Sequence, residues 1–122
     1  MAGTLVHFEL PVADTERASA FFSGLFGWSY EPYGEGYEFV AGSPSGGLFA
    51  APAGEHAPLV YFHVDDADAA VARVAELGGS AEQIHEMPGI GRYVHCRDDQ
   101  QTRFSLFEPA SAADVQAVAA AG

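Results

Sequence analysis

The sequence predicts an α+β fold built from two tandem βαβββ modules, and three observations carry that reading. First, the chain says nearly the same thing twice. An apolar strand, Leu5-Val6-His7-Phe8-Glu9-Leu10, runs into a helical stretch closed by Leu25-Phe26-Gly27; later Leu59-Val60-Tyr61-Phe62-His63-Val64 runs into one closed by Leu77-Gly78-Gly79. Second, the step from Asp14 to Gly27 equals the step from Asp65 to Gly78. Third, a turn-rich stretch, Pro52–Pro58, separates the copies. A module of about fifty residues buries little core alone, whereas two together bury enough, and a cleft between them is a natural ligand site.

The elements follow in order. Residues 5–10 alternate, with Val6, Phe8 and Leu10 on one face and Leu5, His7 and Glu9 on the wetter one. Asp14 is an N-cap, Glu16 places charge at the positive helix end, and Ala18, Phe21, Phe22 and Leu25 recur at helical spacing up to Gly27, so 15–26 is a helix. Trp28–Tyr33, Tyr37–Ala41 and Gly47–Ala51 read as three short strands parted by Gly-Glu-Gly and Gly-Ser-Pro-Ser-Gly turns. In the second copy Asp65 or Asp66 caps a helix whose stripe is Ala70, Val71, Val74 and Leu77, and strands follow near Ser80–Glu86, Gly91–Arg97 and Thr102–Glu108. Ser111–Ala121 is Ala-rich and predicts a terminal helix that packs or makes a dimer contact.

Composition bounds the class. At 48% hydrophobic and 12% aromatic the chain can bury a core, and no apolar run approaches the roughly 20 residues of a membrane span. Met1-Ala2-Gly3-Thr4 lacks a basic region ahead of the first strand, and Cys96 is the single cysteine, so a cytoplasmic, reducing location without an intrachain disulfide is expected. A net charge of −12, from 17 acids against five arginines and no lysine, repels phosphate backbones and anionic lipid, so neither nucleic acid nor membrane is an expected partner.

Paired βαβββ modules with these phrases resemble the vicinal oxygen chelate superfamily of glyoxalases, extradiol dioxygenases and bleomycin-resistance proteins. The matching phrases are His7-Phe8-Glu9-Leu10-Pro11-Val12-Ala13-Asp14, Ala20-Phe21-Phe22-Ser23-Gly24-Leu25-Phe26-Gly27-Trp28, Tyr61-Phe62-His63-Val64-Asp65-Asp66 and Phe104-Ser105-Leu106-Phe107-Glu108-Pro109. The Leu25-Phe26-Gly27-Trp28 phrase resembles the glyoxalase-like bacterial branch. The resemblance implies an open, cupped mixed β-sheet barrel with helices outside, and a ligand in the cup. It also implies one domain over residues 1–122, with module one at about 4–52, module two at about 58–109 and the C-terminal helix at about 111–121.

Metal-dependent members supply one ligand from the first and one from the last strand of each module. By that pattern His7 fits the first position, Gly47-Leu48-Phe49-Ala50-Ala51 offers no ligand, the third position falls at about Leu59, and Ser105 stands where glyoxalases have glutamate. One imidazole does not hold a catalytic divalent ion, so no metal cofactor is expected at the usual site. The turn before the last strand also departs: Asp98-Asp99-Gln100-Gln101-Thr102 replaces the branch's Asp-Pro-x-Gly.

Strand alternation nevertheless projects a polar set inward: His7, Glu9, Tyr61, His63, Tyr93, His95, Arg97, Arg103 and Ser105. Its three histidines and Glu9 leave open a divalent metal at a displaced site; equally they orient a polar ligand. Taken singly, a strand histidine is usually a hydrogen-bonded wall residue, and Glu9 has a salt bridge to Arg97 or Arg103 as its plain alternative. Tyr61 and Tyr93 read as packing residues and Cys96 as an inert core thiol. Met87–Gly91 is a rim loop, either a lid or a turn.

The expectation is a homodimer that binds a small organic molecule. If an enzyme, the resemblance implies lyase or isomerase chemistry near a carbonyl, with Glu9 or His63 as base and Arg97 or Arg103 as oxyanion partner. The rival is a non-catalytic binder that sequesters a drug or metabolite, with an acidic surface suited to a cationic guest and Trp28, Tyr30, Tyr33 and Tyr37 as stacking surfaces.

Overall fold

The computed structural model describes residues 2–32, 36–42, 44–51 and 57–110. The chain divides into two compact units, Val6–Val60 and Tyr61–Gly122 with Met1–Leu5. Its elements are β1 (Leu5–Val12), α1 (Thr15–Phe26), β2 (Tyr30–Pro32), β3 (Tyr37–Val40), β4 (Ser45–Ala50), β5 (Leu59–His63), α2 (Ala67–Glu76), β6 (Ser80–Ala81), β7 (His85–Met87), β8 (Gly91–Arg97) and β9 (Arg103–Pro109). This is the expected α+β tandem repeat. The predicted terminal helix and Tyr33 lie outside the described residues.

In the first unit the strands run β2-β3-β4-β1, with β1 and β4 parallel and the other neighbours antiparallel. Asp14 caps α1 by accepting from Arg17 N, and Gly27 closes it at φ 73°. Phe8 on β1, Phe22 on α1 and Trp28 form the aromatic layer beneath the helix, with Trp28 5.7 Å from Phe8 and 5.2 Å from Phe22. Phe21 and Leu25, however, are 63% and 59% exposed, so only Ala18 and Phe22 of the predicted stripe turn toward the sheet. β4 starts at Ser45, two residues before the predicted strand, because residues 45–50 pair in register with 7–12 of β1.

Gly46 and Gly47 therefore lie in a strand, and each faces a different side. A Cβ on Gly46 would strike the ring of Phe8 on the helix side, and one on Gly47 would strike the phenol of Tyr37 on the other. Neither glycine is there for a turn.

In the second unit β5 pairs parallel with β9, β9 pairs antiparallel with β8, and both β6 and β7 pair with β8. The single strand predicted near 80–86 is thus two short ones, parted by residues 82–84. Gly3 N and His63 N extend this unit's ladder through bonds to His63 O and Thr4 O, both 2.8 Å. The core is Val94, Cys96 and Leu106, covered by Ala70, Val71 and Val74 of α2 with Phe62 and Phe104. Leu77 leaves that stripe: it sits at the C-cap and is exposed, and Gly78 makes the left-handed turn at φ 94°.

Asp66, not Asp65, is the second N-cap, accepting from Ala69 N, and α2 has 10 residues against 12 in α1. The equal spacing in the sequence therefore conceals a one-residue offset between the copies. Met87–Gly91, expected as a lid or a turn, is a tight turn closed by Ile90 N to Met87 O at 2.9 Å.

Candidate functional site

Two polar sets arise, one in each unit, on the sheet face opposite the helix. In the first unit β1 places His7 and Glu9 two residues apart, hence on the same face, with side chains 20% and 17% exposed. The β1–β4 register sets Ser45 beside His7 and Gly47 beside Glu9. The His7 Nδ1 to Ser45 Oγ distance is 2.7 Å and the His7 Nε2 to Tyr37 hydroxyl distance 3.0 Å. The Tyr37 hydroxyl in turn donates to Glu9 Oε2 at 2.8 Å, across the space that Gly47 leaves. Phe39 stacks on His7 with ring centroids 6.2 Å apart.

Donor counting fixes a direction for this chain. Tyr37 has one proton, and the shorter, charge-assisted contact to Glu9 takes it. His7 Nε2 then donates to the phenol oxygen, so the imidazole and phenol protons both run toward the Glu9 carboxylate, while Ser45 Oγ donates to Val6 O at 3.4 Å and lies 2.7 Å from His7 Nδ1. The plain alternative of a salt bridge to arginine is not needed to hold Glu9, since Tyr37 does so.

In the second unit β8 and β9 build three successive rungs on one face: Tyr93 opposite Phe107, His95 opposite Ser105, and Arg97 opposite Arg103. Ser105 is fully buried, and His95 Nδ1 lies 2.7 Å from its Oγ. Tyr61 on β5, the parallel neighbour of Ser105, meets His95 and Tyr93 edge-on at centroid distances of 6.0 and 6.3 Å. His85 stacks on Tyr93 at 4.9 Å. His63 Nδ1 is buried without a hydrogen-bond partner among the described residues, with Asp65 Oδ1 at 3.9 Å.

Arg97 donates to Gln101 O at 3.0 Å, at the turn end of the hairpin. The turn there is held by Asp98 Oδ1, which accepts from Gln100 N and Thr102 N at 2.8 and 2.9 Å; those backbone bonds hold the Asp98 carboxyl below its usual range. Gln101, which stands where the Asp-Pro-x-Gly pattern has glycine, is left-handed at φ 70°, a conformation unfavourable for a residue with a Cβ.

Other titratable groups serve the fold. Glu108 takes Arg92 Nη2 at 2.8 Å on Oε1 and Nε at 3.3 Å on Oε2, and its Oε1 also accepts from Ala67 N at 2.7 Å, tying the start of α2 to β9. Burial, then the nearby Glu82, pushes the Cys96 thiol up to about 11, consistent with an inert core thiol. Burial, then Glu38, also raises the Tyr30 phenol.

Sequence reasoning missed Ser45, read as part of a turn, and listed Tyr37 only as a stacking surface. The signal was present in Ser45-Gly46-Gly47, where a polar residue and two small ones fit a strand beside the bulky face of β1.

The donors do not fit the four-ligand metal set that the resemblance implies. Both His7 ring nitrogens are engaged, Leu59 is apolar, Ser105 is bonded to His95, and β4 offers no carboxylate, imidazole or thiolate. Among the described residues no group of three or more His, Cys, Asp or Glu side chains could hold a metal ion, at a displaced position or otherwise.

Residues 4–41 match the family model described as Bleomycin resistance protein-like N-terminal. The chain is 32% identical over 117 residues to the Mycobacterium bovis protein named "Putative glyoxylase CFP32", with 88% of this chain but 45% of that protein covered. The Mycobacterium tuberculosis protein of that name matches equally. The chain thus spans about half the length of these relatives. Among solved structures it is similar to methylmalonyl-CoA epimerase from Mycobacterium tuberculosis, with TM-score 0.70 at 20% identity over 98% of this chain and 93% of the epimerase. It is also similar to homoprotocatechuate 2,3-dioxygenase from Brevibacterium fuscum, with TM-score 0.69 at 20% identity over 90% and 38% of the two chains. At such identities these two likenesses speak to fold alone.

Proposed function

The chain belongs to the vicinal oxygen chelate superfamily, and from that premise we propose that it binds a small organic molecule and moves a proton next to a carbonyl with Glu9 as the base. One observation carries the reading: a mostly buried carboxylate held in one orientation by Tyr37, itself backed by His7 and Ser45. A buried carboxylate costs several kcal/mol unless it is paired or does chemistry, and the Tyr37 hydroxyl fixes the orientation of this one. Lyases and isomerases that act through an enolate begin with such a proton transfer. The C–H electron pair passes into the carbonyl to give an enolate, and Glu9 becomes the carboxylic acid. No metal takes part in the steps assigned to these residues.

His63, with its unpartnered Nδ1, is the second candidate base. The test is a thermal-shift and saturation-transfer NMR screen of 2-oxo acids, 2-hydroxy ketones and acyl thioesters. Binding by the wild type, with turnover lost in Glu9→Gln and kept in His63→Gln, supports the assignment; turnover kept in Glu9→Gln refutes it.

The match to a bleomycin-resistance model favours a second reading, a sequestering binder, for which the same screen returns stoichiometric protection and no product. We further propose that the units act as one domain, in a cytoplasmic homodimer. No described helix is long and apolar enough to cross a membrane, and the exposed Phe21 and Leu25 on α1 support self-association. Sedimentation should show a dimer that Leu25→Asp splits; a wild-type monomer would end that part of the proposal.

A further inference from the structure

Two of the five cationic side chains of this strongly acidic chain stand directly across from each other, Arg97 on β8 and Arg103 on β9. Like charges on opposed strands repel. Arg73 pairs with Glu76, and Arg92 with Asp68, Glu86 and Glu108, while Arg17 on α1 forms no ion pair among the described residues. Among the described residues neither Arg97 nor Arg103 forms an ion pair, although the sequence holds 17 acids. Arg97 spends one donor on Gln101 O, which steadies its guanidinium at the hairpin end. A guanidinium has five donors, so the pair keeps most of its hydrogen-bonding capacity.

The neighbouring rungs of the same face supply the rest of a binding site. Next come His95 and Ser105, and beyond them Tyr93, Phe107 and Tyr61. Along the face the chemistry runs from doubly cationic, through hydrogen-bonding, to aromatic.

We infer that this face of the second unit recognises a small organic anion, its carboxylate or phosphate bridging Arg97 and Arg103 and its apolar body lying over Tyr93 and Phe107. A carboxylate or phosphate accepts from both forks at once and relieves their repulsion. The inference rests on the reading that the chain binds a small organic molecule, and it names the class of molecule that the second unit takes. It also runs against a cationic guest, which the net charge alone would favour.

Phenylacetate, phenylacetamide, benzylamine and inorganic phosphate are the probes, followed by ¹H–¹⁵N spectra that include the arginine side-chain Nε–H signals. Phenylacetate should shift the Arg97, Arg103 and Tyr93 signals, bind at least tenfold more tightly than the amide, and weaken with added salt. Phosphate should shift the arginines alone. Arg103→Gln, an exposed change that keeps the strand, should weaken phenylacetate at least tenfold, and Arg103→Glu should abolish it. Equal binding of acid and amide, preference for benzylamine, or unchanged affinity in Arg103→Gln overturns the inference. Binding is read here without turnover, so anion binding can fail while the proton-transfer reading stands, and that reading can fail while this site stands.

Discussion

Replacing Gly47 by alanine tests whether the His7–Tyr37–Glu9 arrangement is held as described. An ideal Cβ at Gly47 falls within the Tyr37 hydroxyl and its Cζ and lies 2.9 Å from Cε1, so the phenol must leave. With it go the 2.8 Å bond to Glu9 and the 3.0 Å contact to His7. Overpacking of this kind costs about 1–3 kcal/mol, and a lost hydrogen bond to a charged group about 1.5–3 kcal/mol. Since one movement causes both losses, the expected total is about 2–4 kcal/mol, a fall in Tm of roughly 10–15 °C. Circular dichroism melts measure it. The decisive comparison repeats Gly47→Ala in a Tyr37→Ser background, where the obstructing ring is gone. There alanine should be neutral or stabilise by about 0.5–1 kcal/mol, because glycine is a poor strand residue. An equal cost in both backgrounds would refute the reasoning, since the damage would then not come from Tyr37.

Three other outcomes are expected. Glu108→Ala should lose about 1.5–3 kcal/mol in chemical denaturation, because Ala67 N and Arg92 lose a shared acceptor. At pH 8, some three pH units below the Cys96 value of about 11, roughly one thiol in a thousand is ionised, so disulfide-exchange reagents should label it only on unfolding. Asp98 has a lowered folded pKa, so its contribution is present above the unfolded value of about 3.9 and lost as pH falls through the folded one; Asp98→Ala should remove that part of the acid transition, and Gln101→Gly should raise stability by about 0.5–1 kcal/mol.

Much of the fold was legible because the repeat is written in caps and periods. Asp14 and Gly27 bound α1 as expected, and alternation assigned the faces of β1, β8 and β9, including His95 and Ser105 on one side and Cys96 on the other. Where reading failed, tertiary pairing had overridden local preference. Ser45-Gly46 looks like the end of a turn, yet parallel pairing with β1 draws it into the strand that Gly47 was expected to open, and the two glycines are set by the rings of Phe8 and Tyr37. Phe21 and Leu25 have helical periodicity, but period alone does not say whether an apolar side chain finds a partner in its own chain. Gln101 occupies a left-handed position that propensity would give to glycine.

The most direct test of the central claim is exchange of the carbon-bound proton next to the carbonyl of a bound 2-oxo acid or acyl thioester in D₂O, followed by ¹H NMR. The account predicts exchange catalysed by the wild type, reduced at least a hundredfold in Glu9→Gln and partly reduced in Tyr37→Phe. Exchange at the wild-type rate in Glu9→Gln would contradict it.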